Sequence, residues 1–277
     1  GTVVYYGCPG EEGGSGKAFM ARNGAFKDLD FALTWHPATV NQVCKDSSLA
    51  NFQVLYEFKG ISAHAAGCPE MGRRALDALE IMNVGTNFLR EHMIDKARVH
   101  YAITDTGGYS PNVVQSEAKA IYLIRAPKVG QAAELYKRVD KIAEGAAIMT
   151  ETTYSKQLIK SCANLVSNRV LEQALYEAMQ EAGVPSYTED AYERAEKYTA
   201  TTPAGSGRVF DDLIDDHLIP ENVEYLREKK HSRINDFIVP YETIHLVKCG
   251  GGSTDVGDAS WMCPTAQINT ATWAPQT

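Results

Sequence analysis

The chain has 277 residues, 44% hydrophobic and 22% charged, a composition that excludes a disordered, collagen-like or low-complexity protein. Its 35 acidic and 27 basic residues leave a net charge of −8, which argues against a nucleic-acid binder that works by neutralising phosphates. No apolar run is long enough for a bilayer-spanning helix, so no membrane partner is expected. Length alone allows one large domain or two smaller ones.

Six cysteines, at positions 8, 44, 68, 162, 249 and 263, form no CxxC pair and no repeating spacing. They read as free thiols of a reducing compartment. No signal-peptide pattern opens the chain, and the expected location is the cytoplasm. The chain starts at Gly1 and stops at Trp273-Ala274-Pro275-Gln276-Thr277. Both ends read as cuts in a longer protein, with tag removal and ordinary trimming as the alternative.

In chain order, residues 2–6 read as a buried strand, followed by a loop dense in glycine that carries Glu11-Glu12. Residues 17–23 have helical spacing, and residues 31–36 form a second apolar strand that ends in His36. Strand, loop, helix, strand is the pattern of a parallel α/β sheet. Ligands gather at the carboxyl ends of such strands, where Glu11-Glu12 and His36 are expected. A different style follows. Residues 52–58 alternate as a strand, 69–96 read as a helix, and 99–104 and 118–125 as strands. Residues 129–148 form an amphipathic helix and 152–159 a strand. That order, β-α-β-β-α-β, is the ferredoxin-like unit, inserted at 51–166 between α/β stretches at 1–50 and 167–277. Residues 168–182 read as a helix, 186–231 as mixed helix and loop, and 244–247 as a strand holding His245. Gly250-Gly251-Gly252-Ser253-Thr254-Asp255 is a second glycine-rich loop, without the lysine of a phosphate-binding loop.

Several residues suit hydrolytic chemistry. Adjacent carboxylates point differently, so one of Glu11 and Glu12 can bind a metal while the other acts as general base. A neutral imidazole at a sheet edge, His36, is a good zinc ligand. Each also has a plain structural reading when taken alone. The glutamates could form a solvated acidic turn, and His36 could be a satisfied loop histidine. His64 could cap a helix or sit at the surface, and Asn112 could be a turn residue after Pro111. Arg125 could belong to a surface ion pair, and the 250–255 loop could be a flexible turn or an anion cradle.

The ordered set is more specific. It comprises Glu11-Glu12, Trp35-His36-Pro37, Phe58-Lys59-Gly60-Ile61-Ser62-Ala63-His64-Ala65 and Pro111-Asn112-Val113-Val114. Arg125-Ala126-Pro127 and Gly252-Ser253-Thr254-Asp255-Val256-Gly257-Asp258 complete it. Taken together, and over essentially the whole chain, it resembles the metallopeptidase and amidohydrolase family of carboxypeptidase G and the aminoacylases. The resemblance implies an α/β fold, a zinc-peptidase-like catalytic domain, incomplete here, with an inserted lid and dimerisation domain. It implies a divalent metal, zinc or manganese, two per complete site. It also implies cleavage of an amide between an acyl or aroyl group and an amino acid, p-aminobenzoyl-glutamate being the specific substrate expected. The partners implied are that N-acyl amino acid and, through the insert, a second polypeptide that is identical or related.

By the same resemblance, Glu11 is the general base and Glu12 and His36 are metal ligands. His64 reaches the partner's site and stabilises the oxyanion. Asn112 and Arg125 hold the substrate near its carboxylate, and Ser253 and Thr254 form the substrate loop. The family's earlier ligand motif has no counterpart before Glu11, and no histidine follows His245. Two of about five expected ligands are present, fewer than zinc chemistry needs, so this chain alone is expected to be inactive. The rival reading is a non-catalytic dimerisation or scaffold fragment or subunit. A nucleotide-binding protein would need a phosphate loop that is absent.

Overall fold

The computed structural model describes residues 1–202, 208–243 and 248–275. The strand expected at 244–247, with His245, lies outside the described residues. In chain order the strands are β1 Ala32–Ala38, β2 Gln42–Val43, β3 Ala50–Lys59, β4 Arg98–Asp105, β5 Glu117–Ala126, β6 Thr153–Cys162 and β7 Thr265–Ala271. The α-helices are α1 Glu11–Gly14, α2 Gly16–Arg22, α3 Ala75–Leu89, α4 Val129–Thr150, α5 Arg169–Ala182, α6 Glu189–Thr199, α7 Arg208–Asp215, α8 Pro220–Lys229 and α9 Val256–Ser260. No helix among the described residues is long and apolar enough to cross a membrane.

Two compact units emerge. One joins Gly1–Phe26, Ser47–Leu165 and Cys249–Trp261; the other joins Lys27–Asp46, Val166–Lys248 and Met262–Thr277. Segments on either side of the 51–166 stretch thus divide between the units.

The first unit is built on an antiparallel sheet in the order β4-β5-β3-β6. Strand alternation explains it. Ala118, Ala120, Tyr122, Ile124 and Ala126 of β5 are buried, while Lys119, Ile121, Leu123 and Arg125 between them are half-buried. Val54, Tyr56 and Phe58 of β3 lie in the same core. Two helices supply the rest, α3 through Ala75, Ala78, Leu79 and Met82, and α4 through Ala132, Leu135, Val139, Ala143 and Ala146. These spacings of three and four residues put one stripe of each helix into the core. Each large apolar side chain buried there contributes roughly 1.5–3 kcal/mol. The two core tyrosines satisfy their hydroxyls: Tyr122 donates to Asn83 Oδ1 at 2.5 Å and Tyr56 to Asp140 Oδ1 at 2.6 Å.

Two local expectations need correction here. The helix expected over 69–96 is broken: Pro69–Met71 and Arg90–His92 are short 3-10 turns flanking α3. Gly72 adopts an extended backbone and packs against Val114, so the first turn cannot run on into α3. Residues 2–6 are not a buried strand. Val3 is 96% and Tyr5 95% exposed, and no strand partner pairs with them among the described residues. Apolar content favours a strand only where a neighbour supplies the ladder and the cover.

The second unit has a sheet in the order β1-β7-β2. β1 runs parallel to β7, with His36 opposite Asn269, and β2 runs antiparallel to β7. Asn168 caps α5 by accepting the Leu171 N–H at 3.1 Å. A small core of Val40, Phe210, Leu226, Phe237 and Val239 joins α7 and α8 of the 186–231 stretch. Polar groups finish the packing. Asn41 Nδ2 donates to the carbonyls of Asn235 and Phe237, its Oδ1 accepts the Ala271 N–H, and Asn235 donates to the Thr39 carbonyl. Glu242 accepts the Leu218 and Ile219 N–H groups and Asn222 Nδ2 at the start of α8. Burial pushes its carboxyl up, but those hydrogen bonds hold it below the ordinary value.

Candidate functional site

Glu11 and Glu12 lie on α1, a single helical turn, instead of an open loop after a strand. Gly10 enters the turn at φ 69°, and the Gly14 N–H closes on the Gly10 carbonyl at 2.8 Å. Gly16 admits the next contact, since a Cβ there would sit 1.9 Å from the Pro9 carbonyl oxygen. Glu11 is half-buried and Glu12 exposed. Lys160 Nζ donates to the Glu12 carbonyl at 2.5 Å, which ties the turn to β6.

His64 and Asn112 come together. The Ala65 N–H donates to the Asn112 carbonyl at 2.8 Å, and the Val114 N–H to the Ala63 carbonyl at 2.9 Å. His64 Nδ1 accepts the Ala66 and Gly67 N–H groups at 3.2 and 3.0 Å. That arrangement assigns the ring proton to Nε2, leaving an imidazole donor free to meet a ligand. An Nε2–H of this kind is suited to donate to a developing oxyanion.

Arg125 and Ser253 also meet, with Nη1 3.4 Å from the Ser253 hydroxyl. Arg125 stands opposite Asn51 on one side and Arg98 on the other. Arg125 Nε and Asn51 Oδ1 are buried without a hydrogen-bond partner among the described residues. Nearby His100 is held below its ordinary pKa by burial, then by the charges of Arg125, Arg90 and Arg98. A guanidinium with open donors in a positive neighbourhood suits a carboxylate. Thr254 Oγ1 accepts the Val256 N–H at 3.3 Å, which shapes the entry to α9.

His36 is in the second unit, near the end of β1, and is exposed. Its Nδ1 is 2.6 Å from the Pro37 carbonyl, so Nδ1 carries the proton and Nε2 keeps its lone pair for a ligand. Glu12 belongs to the first unit. Among the described residues no group of three or more His, Cys, Asp and Glu side chains is arranged to hold a metal ion. Glu12 and His36 would leave most of a coordination shell open, so the described residues alone do not fit a resident ion.

Three residues given no role by the sequence reading belong to this region. Lys17 and Asp255 form a salt bridge, Nζ to Oδ1 at 2.8 Å, and the Lys17 backbone N–H donates to Asp255 Oδ2 at 2.9 Å. Asp258 accepts the Ala163 N–H at 3.3 Å. Burial pushes the Asp258 carboxyl up to about 6, and the Asp255 charge adds to that effect against the Ala163 hydrogen bond. The signal was present as two aspartates in Thr254-Asp255-Val256-Gly257-Asp258, but a local pattern does not name their partners.

No family model matches the chain. It is 47% identical over 268 residues to one of the subunits of p-aminobenzoyl-glutamate hydrolase from Escherichia coli (strain K12), covering 96% of this chain and 55% of that protein. It is 32% identical over 193 residues to the Xaa-Arg dipeptidase of Mus musculus, covering 68% of this chain and 44% of that protein. Its fold is similar to the crystal structure of an aminobenzoyl-glutamate utilization protein from Klebsiella pneumoniae. The TM-score is 0.55 at 19% identity, over 90% of this chain and 52% of that one. The chain thus spans about half the length of the curated relatives it matches. On the first of these likenesses, the chain belongs to the amidohydrolase family of p-aminobenzoyl-glutamate hydrolase.

Proposed function

We propose that this chain is part of a metal-dependent amidohydrolase that cleaves p-aminobenzoyl-glutamate, or a related N-acyl amino acid, into a carboxylic acid and an amino acid. The observation that carries this reading is the 47% identity with the Escherichia coli hydrolase across 96% of the chain. The divalent ion, zinc or manganese and two per complete site, would have Glu12 and His36 as ligands. The other ligands would come from the whole protein. The chain alone is then inactive.

The roles of its side chains follow from their chemistry. Arg125, with Asn112 and Ser253, binds the carboxylate of the amino-acid half and so fixes the scissile amide. Thr254 shapes the loop that carries Ser253. Water adds to the amide carbonyl carbon. Glu11 takes the water's proton and delivers it to the amide nitrogen as the C–N bond breaks. His64 donates its Nε2–H to the oxyanion in the site of a neighbouring polypeptide, identical or related. The Escherichia coli relative is itself named as a subunit, which supports a partner of that kind. Residues 51–166 serve as lid and dimerisation domain, and residues 1–50 with 167–277 form part of the catalytic domain. A chain whose six cysteines show no disulfide spacing supports a reducing compartment, the cytoplasm.

The test is release of p-aminobenzoate from p-aminobenzoyl-glutamate by the full-length protein, with zinc or manganese added after chelation. Turnover that disappears on chelation and returns with the ion supports the reading. No turnover on this substrate or on N-acyl amino acids, with the ion bound, defeats it.

A further inference from the structure

We infer that Asp255 is a positioning residue that, through Lys17, holds the Glu11-Glu12 turn in register with Ser253 and Arg125. The inference rests on the proposed role of Glu11 as base. Lys17 presents two donors, its backbone N–H and its ammonium, to the two oxygens of one carboxylate. The Asp255 side chain is fully buried and that of Lys17 is 14% exposed. A buried ion pair adds little net stability over a packed apolar pair, but removing one partner strands the other charge. Such a pair is well suited to fixing a register.

Both ends of the pair are rigidly connected. On one side Gly14 closes on Gly10 and Gly16 packs against the Pro9 carbonyl, so the glutamate turn follows Lys17. On the other side Asp255 opens α9, which is seated where Gly257 meets Ala163. A Cβ on Gly257 would lie 2.1 Å from the Ala163 carbonyl oxygen. Ser253, two residues before Asp255, reaches Arg125. A shift of Lys17 relative to Asp255 therefore moves the base relative to the groups that hold the substrate.

The experiment measures kcat and KM of the full-length protein on p-aminobenzoyl-glutamate. Asp255→Asn should lower kcat about tenfold to a hundredfold, the scale of a misplaced catalytic group, with KM nearly unchanged. Lys17→Gln should lower kcat in the same way, and Lys17→Arg, which restores the cation, should recover most of it. In a Glu11→Asp background, where the base is already displaced, Asp255→Asn should cost far less, because the two changes act on one geometry. An equal fold-loss in both backgrounds would assign Asp255 to general stability and overturn the inference. Wild-type kcat in Asp255→Asn, beside an inactive Glu11→Gln, would overturn it alone. Wild-type turnover in Glu11→Gln would overturn the base assignment, and this inference with it. If Asp255→Asn does not fold, Lys17→Gln decides by the same criteria, since it keeps the backbone donor and most of the volume.

Discussion

The two sheets are made in different ways. The sheet of the first unit comes from one continuous stretch, Ala50 to Cys162, and each of its strands pairs with another from that stretch. Its core is aliphatic and aromatic, closed by two amphipathic helices. The sheet of the second unit pairs β1 with β7, from opposite ends of the chain, and its apolar core is small. Buried Asn41, Asn235, Glu172, His217 and Glu242 complete it. A continuous stretch closes short loops and depends on apolar packing; an assembly of distant segments depends on polar pins that fix each segment.

That contrast predicts where each unit is fragile. Leu79→Ala should cost the first unit about 2–5 kcal/mol, because Leu79 is fully buried between helix and sheet. Urea unfolding should report the loss, and the β3 and β5 amides should exchange faster. A loss well under 1 kcal/mol would mean the apolar core is not what holds that unit. Asn41→Ala should cost the second unit roughly 2–3 kcal/mol, since it strands buried groups that Asn41 now bonds at Asn235, Phe237 and Ala271. Asn41→Asp should recover only the bond from the Ala271 N–H. If Asn41→Ala is neutral, the polar pins are ornament and the contrast fails.

A smaller effect is set by pH. Asp258 holds its proton up to about pH 6 when folded, against an ordinary value of 3.8. The folded state therefore binds a proton that the unfolded chain releases first. The resulting stabilisation is full below about pH 4 and fades as pH rises through about 6. Asp258→Asn should raise the unfolding midpoint at pH 7.5, a gain in stability of roughly 1 kcal/mol or less after solvent screening, and leave it nearly unchanged at pH 4. A midpoint that falls at pH 7.5 would reverse the sign assigned to this carboxyl.

The same contrast governs what could be read in advance. β3, β5 and α4 were legible to within two residues, because alternation and helical spacing are complete within each. Residues 2–6 carry a strand-like composition but find no ladder, and Pro69 with Gly72 punctuates what looks like one helix. The 186–231 stretch was opaque because its helices are mostly polar, held by pairs such as Arg233 with Glu189 and Glu196. Of the candidate residues singled out by the sequence, Arg125 and Ser253 lie in contact. The pairing of Lys17 with Asp255 was not legible, since 238 positions separate them.

The proposed function makes Glu11 a base and Glu12 a metal ligand on one helical turn. Bound metal per chain in the full-length Glu11→Ala variant tests that division most directly, with Glu12→Ala as the control. Glu11→Ala should lose turnover by about 10²–10⁴-fold, the usual contribution of a general base, while keeping its metal. Glu12→Ala should lose both. Metal lost equally from Glu11→Ala would contradict the assignment and make Glu11 a ligand.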